Sequence, residues 1–218
     1  AFLSGTAVQW TIDFSNNSLN NVGLLSLSYL ENMTFSNNVV TDAQLLELGG
    51  IEGDLVLTNN IFEGIEGLIV GLQHYEGKEF LVVIDNNNIS GEGYGGLRIN
   101  AYNSTLGSID ITGNTISGFG FNRDYGYDSP IYEGAGLLFN ANQDTVVNVE
   151  RNTLVGNLGA GAVFGGNVLP RFNNNTVVRN GLGVQFDYHN YDSDGLFEVS
   201  LNTISLNDSD GILISGRS

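Results

Sequence analysis

The chain has no cysteine, so disulfides, cysteine-ligated zinc and thiol catalysis are all excluded from its 218 residues. The same absence leaves the redox compartment open. Basic residues are nearly as scarce: seven Lys and Arg stand against 24 Asp and Glu, a formal net charge of −17. Seven cations without a basic stripe cannot neutralise many phosphates, and so acidic a surface repels polyanions; nucleic acid is excluded as a partner. No apolar run reaches the length of a membrane-spanning helix, and residues 1–15 lack the basic start and apolar stretch of a signal peptide. His74 and His189 lie far apart with no Ser or Cys motif beside either, so no catalytic triad is legible. What remains is a chain with 41% apolar residues and 14% charged ones, enough to fill a core and too sparingly charged to stay unfolded.

The chain does have a recurring phrase. "TGNTISG" (112–118) returns as "RNTLVGN" (151–157), "NNTVVRN" (174–180) and "LNTISLN" (201–207). Aligning it yields eight anchor asparagines, Asn17, Asn38, Asn60, Asn87, Asn114, Asn152, Asn175 and Asn202. Three residues before each stands an apolar side chain, from Phe14 and Phe35 to Phe172 and Val199; two after stands another, from Leu19 and Val40 to Val177 and Ile204. Alternation of this kind is the signature of a strand. A further apolar pair, usually led by Gly, follows each anchor, as in "GLIV" (67–70), "GLRI" (96–99) and "GILI" (211–214). Each unit therefore reads as strand, Asn bend, short strand, loop, third strand, loop. A unit of this length cannot bury its own apolar face and must stack on its neighbours.

The prediction is an all-β parallel solenoid of about eight coils, with three parallel sheets around one narrow core, roughly 40 Å long at about 4.8 Å per coil. The anchors have two expected tasks: to occupy the left-handed backbone region at the bend, which Asn tolerates, and to stack their amides as a ladder. No composition shift marks a second domain. Residues 1–218 read as one solenoid, a segment of a longer rod or one with ends covered by neighbouring coils or copies, interrupted by a loop insertion at 119–134.

The grammar "apolar-x-x-Asn-x-apolar … Gly-apolar-x-apolar" over residues 8–214 resembles the right-handed parallel β-helix proteins of the pectin-lyase-like superfamily. The resemblance implies the handedness. It also implies that a ligand lies along the outer face of the third strand, between walls made by the flanking loops. Carried onto this sequence, the outward positions are Ser26, Glu47, Ile69, Arg98, Leu138, Val163, Gln185 and Leu213. This floor has neither paired carboxylates nor a cluster of bases, and Arg98 is its one cation.

The loops are richer. The insertion "FGFNRDYGYDSPIYEG" (119–134) carries Tyr125, Tyr127 and Asp128, while Tyr94 and Tyr102 stand in neighbouring segments. Together with Arg98 they compose a candidate aromatic-walled trough for sugar rings; the alternative is a satellite core of the insertion itself. "YGYDSP" (125–130) resembles part of the Tyr-Gly-Phe-Asp-Pro-His signature of alginate epimerases, but no histidine follows Pro130. A calcium candidate comes from "NYDSDG" (190–195), where Asn190, Asp192 and Asp194 alternate before a Gly and Glu198 follows, as in loops that hold hard cations; the alternative is a merely solvated acidic loop. No other cofactor is implied.

The expected function is a non-catalytic extracellular or cell-surface protein, an adhesin or stalk segment, touching carbohydrate or another surface ligand through its loop face. The alternatives are a carbohydrate-active enzyme (lyase, hydrolase or epimerase) that uses Arg98 as base or clamp, and a phage-type fibre segment with Ile69, Leu138, Val163 and Leu213 as its contact stripe.

Overall fold

A computed structural model of the chain describes residues 10–73, 80–102, 107–120, 133–188 and 197–216. Within these residues the fold is an all-β parallel solenoid with no helix. Each coil contributes three strands. The first strands, Thr11–Ser15, Asn32–Ser36, Leu55–Thr58, Leu81–Asp85 and Ser108–Thr112, stack in parallel with unbroken register. The short second strands run from Ser18–Asn20 to Thr203–Ser205 and form a sheet of eight. The third strands run from Leu24–Leu30 to Ile212–Gly216.

The sequence reading of three separate sheets needs correction. In two places the chain runs from a third strand into the next first strand without a loop, as Ala135–Glu150 and Ala160–Asn173. The first half of Ala135–Glu150 pairs with Gly95–Tyr102 and its second half with Ser108–Thr112, so first and third strands merge into one 14-stranded sheet. The connections there are too short to leave the ladder: the backbone keeps its cross-coil hydrogen bonds around the corner, with one register shift between Ala141 and Thr145.

The core follows from the alternation. Phe35, Leu57, Ile84, Ile111, Val149 and Phe172, three before their anchors, are fully buried, as are Val40, Phe62, Ile89, Ile116, Leu154 and Val177, two after. Like side chains pile on one another: the Phe14 and Phe35 rings stack at 5.0 Å and those of Phe164 and Phe186 at 5.5 Å. Each such side chain contributes about 1.5–3 kcal/mol by leaving water.

The anchors form the ladder. Asn60 Nδ2 donates to Asn87 Oδ1 at 2.9 Å, Asn87 to Asn114 at 2.9 Å and Asn114 to Asn152 at 3.0 Å; the column continues from Asn17 through Asn38 at one end and through Asn175 to Asn202 at the other. The cause lies in the backbone at the bend. Before it, amide N–H groups point to the following coil (Asn86 N to Thr112 O, 3.0 Å); after it they point to the preceding one (Thr115 N to Asn87 O, 2.9 Å). The anchor's own N–H falls at the reversal, and the next anchor's Oδ1 receives it, as in Asn87 N to Asn114 Oδ1 at 2.9 Å. The second amide hydrogen goes to a backbone carbonyl of the coil before, such as Asn114 Nδ2 to Ile84 O at 2.8 Å. Buried polar groups need partners, and here all are matched.

The left-handed conformation, however, does not belong to the anchors. It belongs to the residue before each: Asn16, Asn37, Asn59, Asn86, Gly113, Arg151, Asn174 and Leu201, with φ between 55° and 64°. The bend thus divides its two demands between adjacent residues. One turns the chain, and the next bonds the reversed amide.

The sequence reading also missed a second, shorter ladder. Asn157 Nδ2 donates to Asn180 Oδ1 at 2.9 Å and Asn180 to Asn207 Oδ1 at 3.2 Å, while Phe119 N caps the column on Asn157 Oδ1 at 3.2 Å. Its signal was present in the repeated phrase, whose closing Asn falls five residues after the anchor in "NTLVGN", "NTVVRN" and "NTISLN". The matching positions of earlier coils are Val22, Ala43, Ile65, Glu92 and Phe119.

Candidate functional site

The outward column on the third strands stacks as the sequence implied: Ser26 beside Glu47, then Ile69, Arg98, Leu138, Val163, Gln185 and Leu213, each opposite the next. Over the coils around Arg98 this face sinks into a trough of about 610 Å³. Ile69, Arg98 and Leu138 lie along its floor on successive coils, and Gln44, Glu66, Tyr94 and Glu133 stand among its lining residues, with Asn140 further along.

The walls are the ends of the loops that lead into successive third strands. Glu66 precedes Gly67, Tyr94 precedes Gly95, and Glu133 leads through Gly134 into Ala135. Gly134 N donates to Tyr94 O at 2.6 Å, which ties the two loop ends together. The glycines are needed where the sheet and the loops crowd one another: a Cβ on Gly96 would stand 2.4 Å from Gly136 O. Tyr94 is 53% exposed at the edge of the trough. Arg98 is exposed and makes no ion pair or hydrogen bond among the described residues, so its guanidinium is available above an otherwise apolar floor.

Of the six predicted ligand residues, the trough brings together Tyr94 and Arg98. Tyr102 is exposed on the same strand, four positions beyond Arg98, and does not line it. Tyr125, Tyr127 and Asp128 lie outside the described residues, and so do the epimerase-like phrase, the rest of the insertion from 121 to 132, and both histidines. Glu66, Gln44 and Asn140 were missed. The signal for Glu66 was its place immediately before Gly67, which leads into the third strand Leu68–Gln73.

Three of the four apolar outward residues do not form an open stripe. Leu138 and Val163 are buried and, with Ala135, Ala160 and Leu182, form a second apolar cluster outside the solenoid core, against which Leu213 packs. In the same column Gln185 is 5% exposed, and its Oε1 has no hydrogen-bond partner among the described residues.

The calcium candidates separate. Asn190, Asp192 and Asp194 lie outside the described residues. Glu198 sits on a first strand, Glu198–Ser200, where Oε1 accepts from Asn173 Nδ2 at 3.3 Å. Among the described residues no three or more His, Cys, Asp and Glu side chains are grouped to hold a metal ion, and no helix is long and apolar enough to cross a membrane.

A family model described as "Right handed beta helix region" matches residues 52–218. The chain belongs to the right-handed β-helix family. The match supplies the hand of the coil and agrees with the parallel ladders throughout the described β-helix. No curated protein and no solved structure is detectably similar to this β-helix.

Proposed function

We propose that this β-helix is a non-catalytic surface protein that holds carbohydrate in the third-strand trough. The observation that carries the reading is the trough itself: an exposed tyrosine, a guanidinium without a partner among the described residues and two carboxylates line it together with apolar floor residues. Sugars present an apolar ring face and a rim of hydroxyls. Tyr94 can stack on the former, while Arg98, Glu66 and Glu133 bond the latter. A rigid sheet holds the floor residues in place, so little ordering entropy is spent on binding. Under this reading the protein works outside the cell or at its surface, as an adhesin or stalk segment.

The enzymatic alternative has one supporting observation, Arg98 at the middle of the floor with no ion pair or hydrogen bond among the described residues, which could act as base or clamp in a polysaccharide lyase. Both readings are tested together by screening the protein on arrayed glycans and on neutral and acidic polysaccharides, with Tyr94→Ala and Arg98→Ala as controls. Binding without turnover is expected, weakened about tenfold or more by Arg98→Ala, since a charge-assisted hydrogen bond is worth about 1.5–3 kcal/mol, and severalfold by Tyr94→Ala, since an aromatic stack is worth about 0.5–1.5 kcal/mol. Turnover abolished by Arg98→Ala would establish the enzyme instead.

A further inference from the structure

A second concavity lies on a different face, over the first strands, and no sequence motif pointed to it. It measures about 700 Å³ and follows the outward column Val83, Asp110, Asn148, Arg171 and Glu198, in register on successive coils. At about 4.8 Å per coil this column is roughly 19 Å long. Glu150 and Asn173 stand beside it, two residues further along their strands.

Hydrogen bonds within the groove hold its side chains in place. Asp110 accepts from Ser108 Oγ at 2.9 Å and from Asn148 Nδ2 at 2.7 Å. Glu150 Oε2 accepts from Arg151 Nη1 at 3.0 Å, which leaves Oε1 without a partner among the described residues. Asn173 donates to Glu198 Oε1, and Ser200 Oγ donates to Asn173 Oδ1 at 2.8 Å. Glu198 Oε2 is likewise unengaged. Arg171 is exposed between Asn148 and Glu198 and makes no ion pair or hydrogen bond among the described residues. The groove therefore offers open acceptors and open donors side by side on a stiff sheet.

That mixture selects a ligand class. A polyanion meets three carboxylates and a chain of net charge −17. A polycation meets Arg171. A ligand whose every group both donates and accepts satisfies the two kinds of partner at once, and such a ligand is a neutral polyol. Among the described residues no aromatic side chain lines the groove, so recognition runs through hydroxyls and not through ring stacking. We infer that the first-strand groove is a second binding site of this protein, taking a neutral oligosaccharide along the solenoid axis with Arg171, Glu198 and Glu150 as its hydrogen-bonding contacts. This site is independent of the trough and stands or falls separately from it.

The test is isothermal titration of the full chain with four neutral hexasaccharides (maltohexaose, cellohexaose, mannohexaose and xylohexaose) and with a hexagalacturonate as the anionic comparison. The proteins are the wild type, Arg171→Ala, Glu198→Gln and Arg98→Ala. Arg171 and Glu198 are exposed, and circular dichroism checks that each variant keeps the wild-type melting transition. The expected result is saturable binding of at least one neutral hexasaccharide that weakens tenfold or more in Arg171→Ala and Glu198→Gln and survives in Arg98→Ala. Binding lost in Arg98→Ala but untouched by Arg171→Ala would overturn the groove while supporting the trough. Absence of binding by all four neutral sugars, or tighter binding of the hexagalacturonate, would also overturn it.

Discussion

Replacing Asn114 with alanine tests the ladder at its middle. Asn114 is 1% exposed and engaged on every side: Oδ1 accepts from Asn87 N and Asn87 Nδ2, both at 2.9 Å, and Nδ2 donates to Asn152 Oδ1 at 3.0 Å and Ile84 O at 2.8 Å. The methyl group of alanine reaches none of these. Asn152 Oδ1 keeps one donor, the backbone amide of residue 114 at 3.0 Å. The two Asn87 donors lose their acceptor in a site that water cannot enter. At about 1–3 kcal/mol for each buried unsatisfied group, the loss is roughly 2–6 kcal/mol. For a domain of this size that is a fall of about 5–20 °C in melting temperature.

Asn17, which is exposed at the first rung, provides the comparison. Its substitution frees groups that water can reach, so Asn17→Ala is expected to cost less than about 1 kcal/mol. Urea titration followed by circular dichroism measures both variants. A stacked array can also lose cooperativity, so Asn114→Ala is expected to broaden or split the transition as the coils on either side uncouple. Equal midpoints for Asn114→Ala and Asn17→Ala would refute the ladder as a bonded network and leave it a mere coincidence of stacking.

Three further substitutions address the bends. Leu201 holds a left-handed backbone (φ 56°) with its side chain 80% exposed, so Leu201→Asn relieves strain without removing packing and is expected to raise stability by about 1 kcal/mol, read as a small rise in melting temperature. Gly91→Ala would put a Cβ 1.8 Å from Ile65 O and is expected to cost about 3 kcal/mol or more, whereas Gly156→Ala, at φ 69° with nothing within 4 Å, costs only the left-handed penalty of about 1 kcal/mol. Thermal melts of the pair separate crowding between coils from backbone strain; similar losses would sink the distinction.

The amino-acid sequence by itself determined the solenoid. Inward positions repeat at fixed offsets from each anchor because every coil must present the same apolar rows to its neighbours, and this constraint is written locally in Phe35, Leu57 and Ile84 as plainly as in the asparagines beside them. It also specified the outward register that puts Arg98 between Ile69 and Leu138. Tertiary structure alone decided which residue turns the chain, since Asn16 and Asn17 look alike until the reversal of backbone bonding shows that one bends and the other bonds. It alone merged two sheets through Ala135–Glu150, where a connection proved short enough to stay in the ladder. The concavities were decided at the same level. Tyr94 meets Glu66 and Glu133, and Arg171 comes to lie between Asn148 and Glu198, only because coils of unequal length stack with their strands in register, and side chains on outward faces carry no periodic constraint from which that meeting could be read.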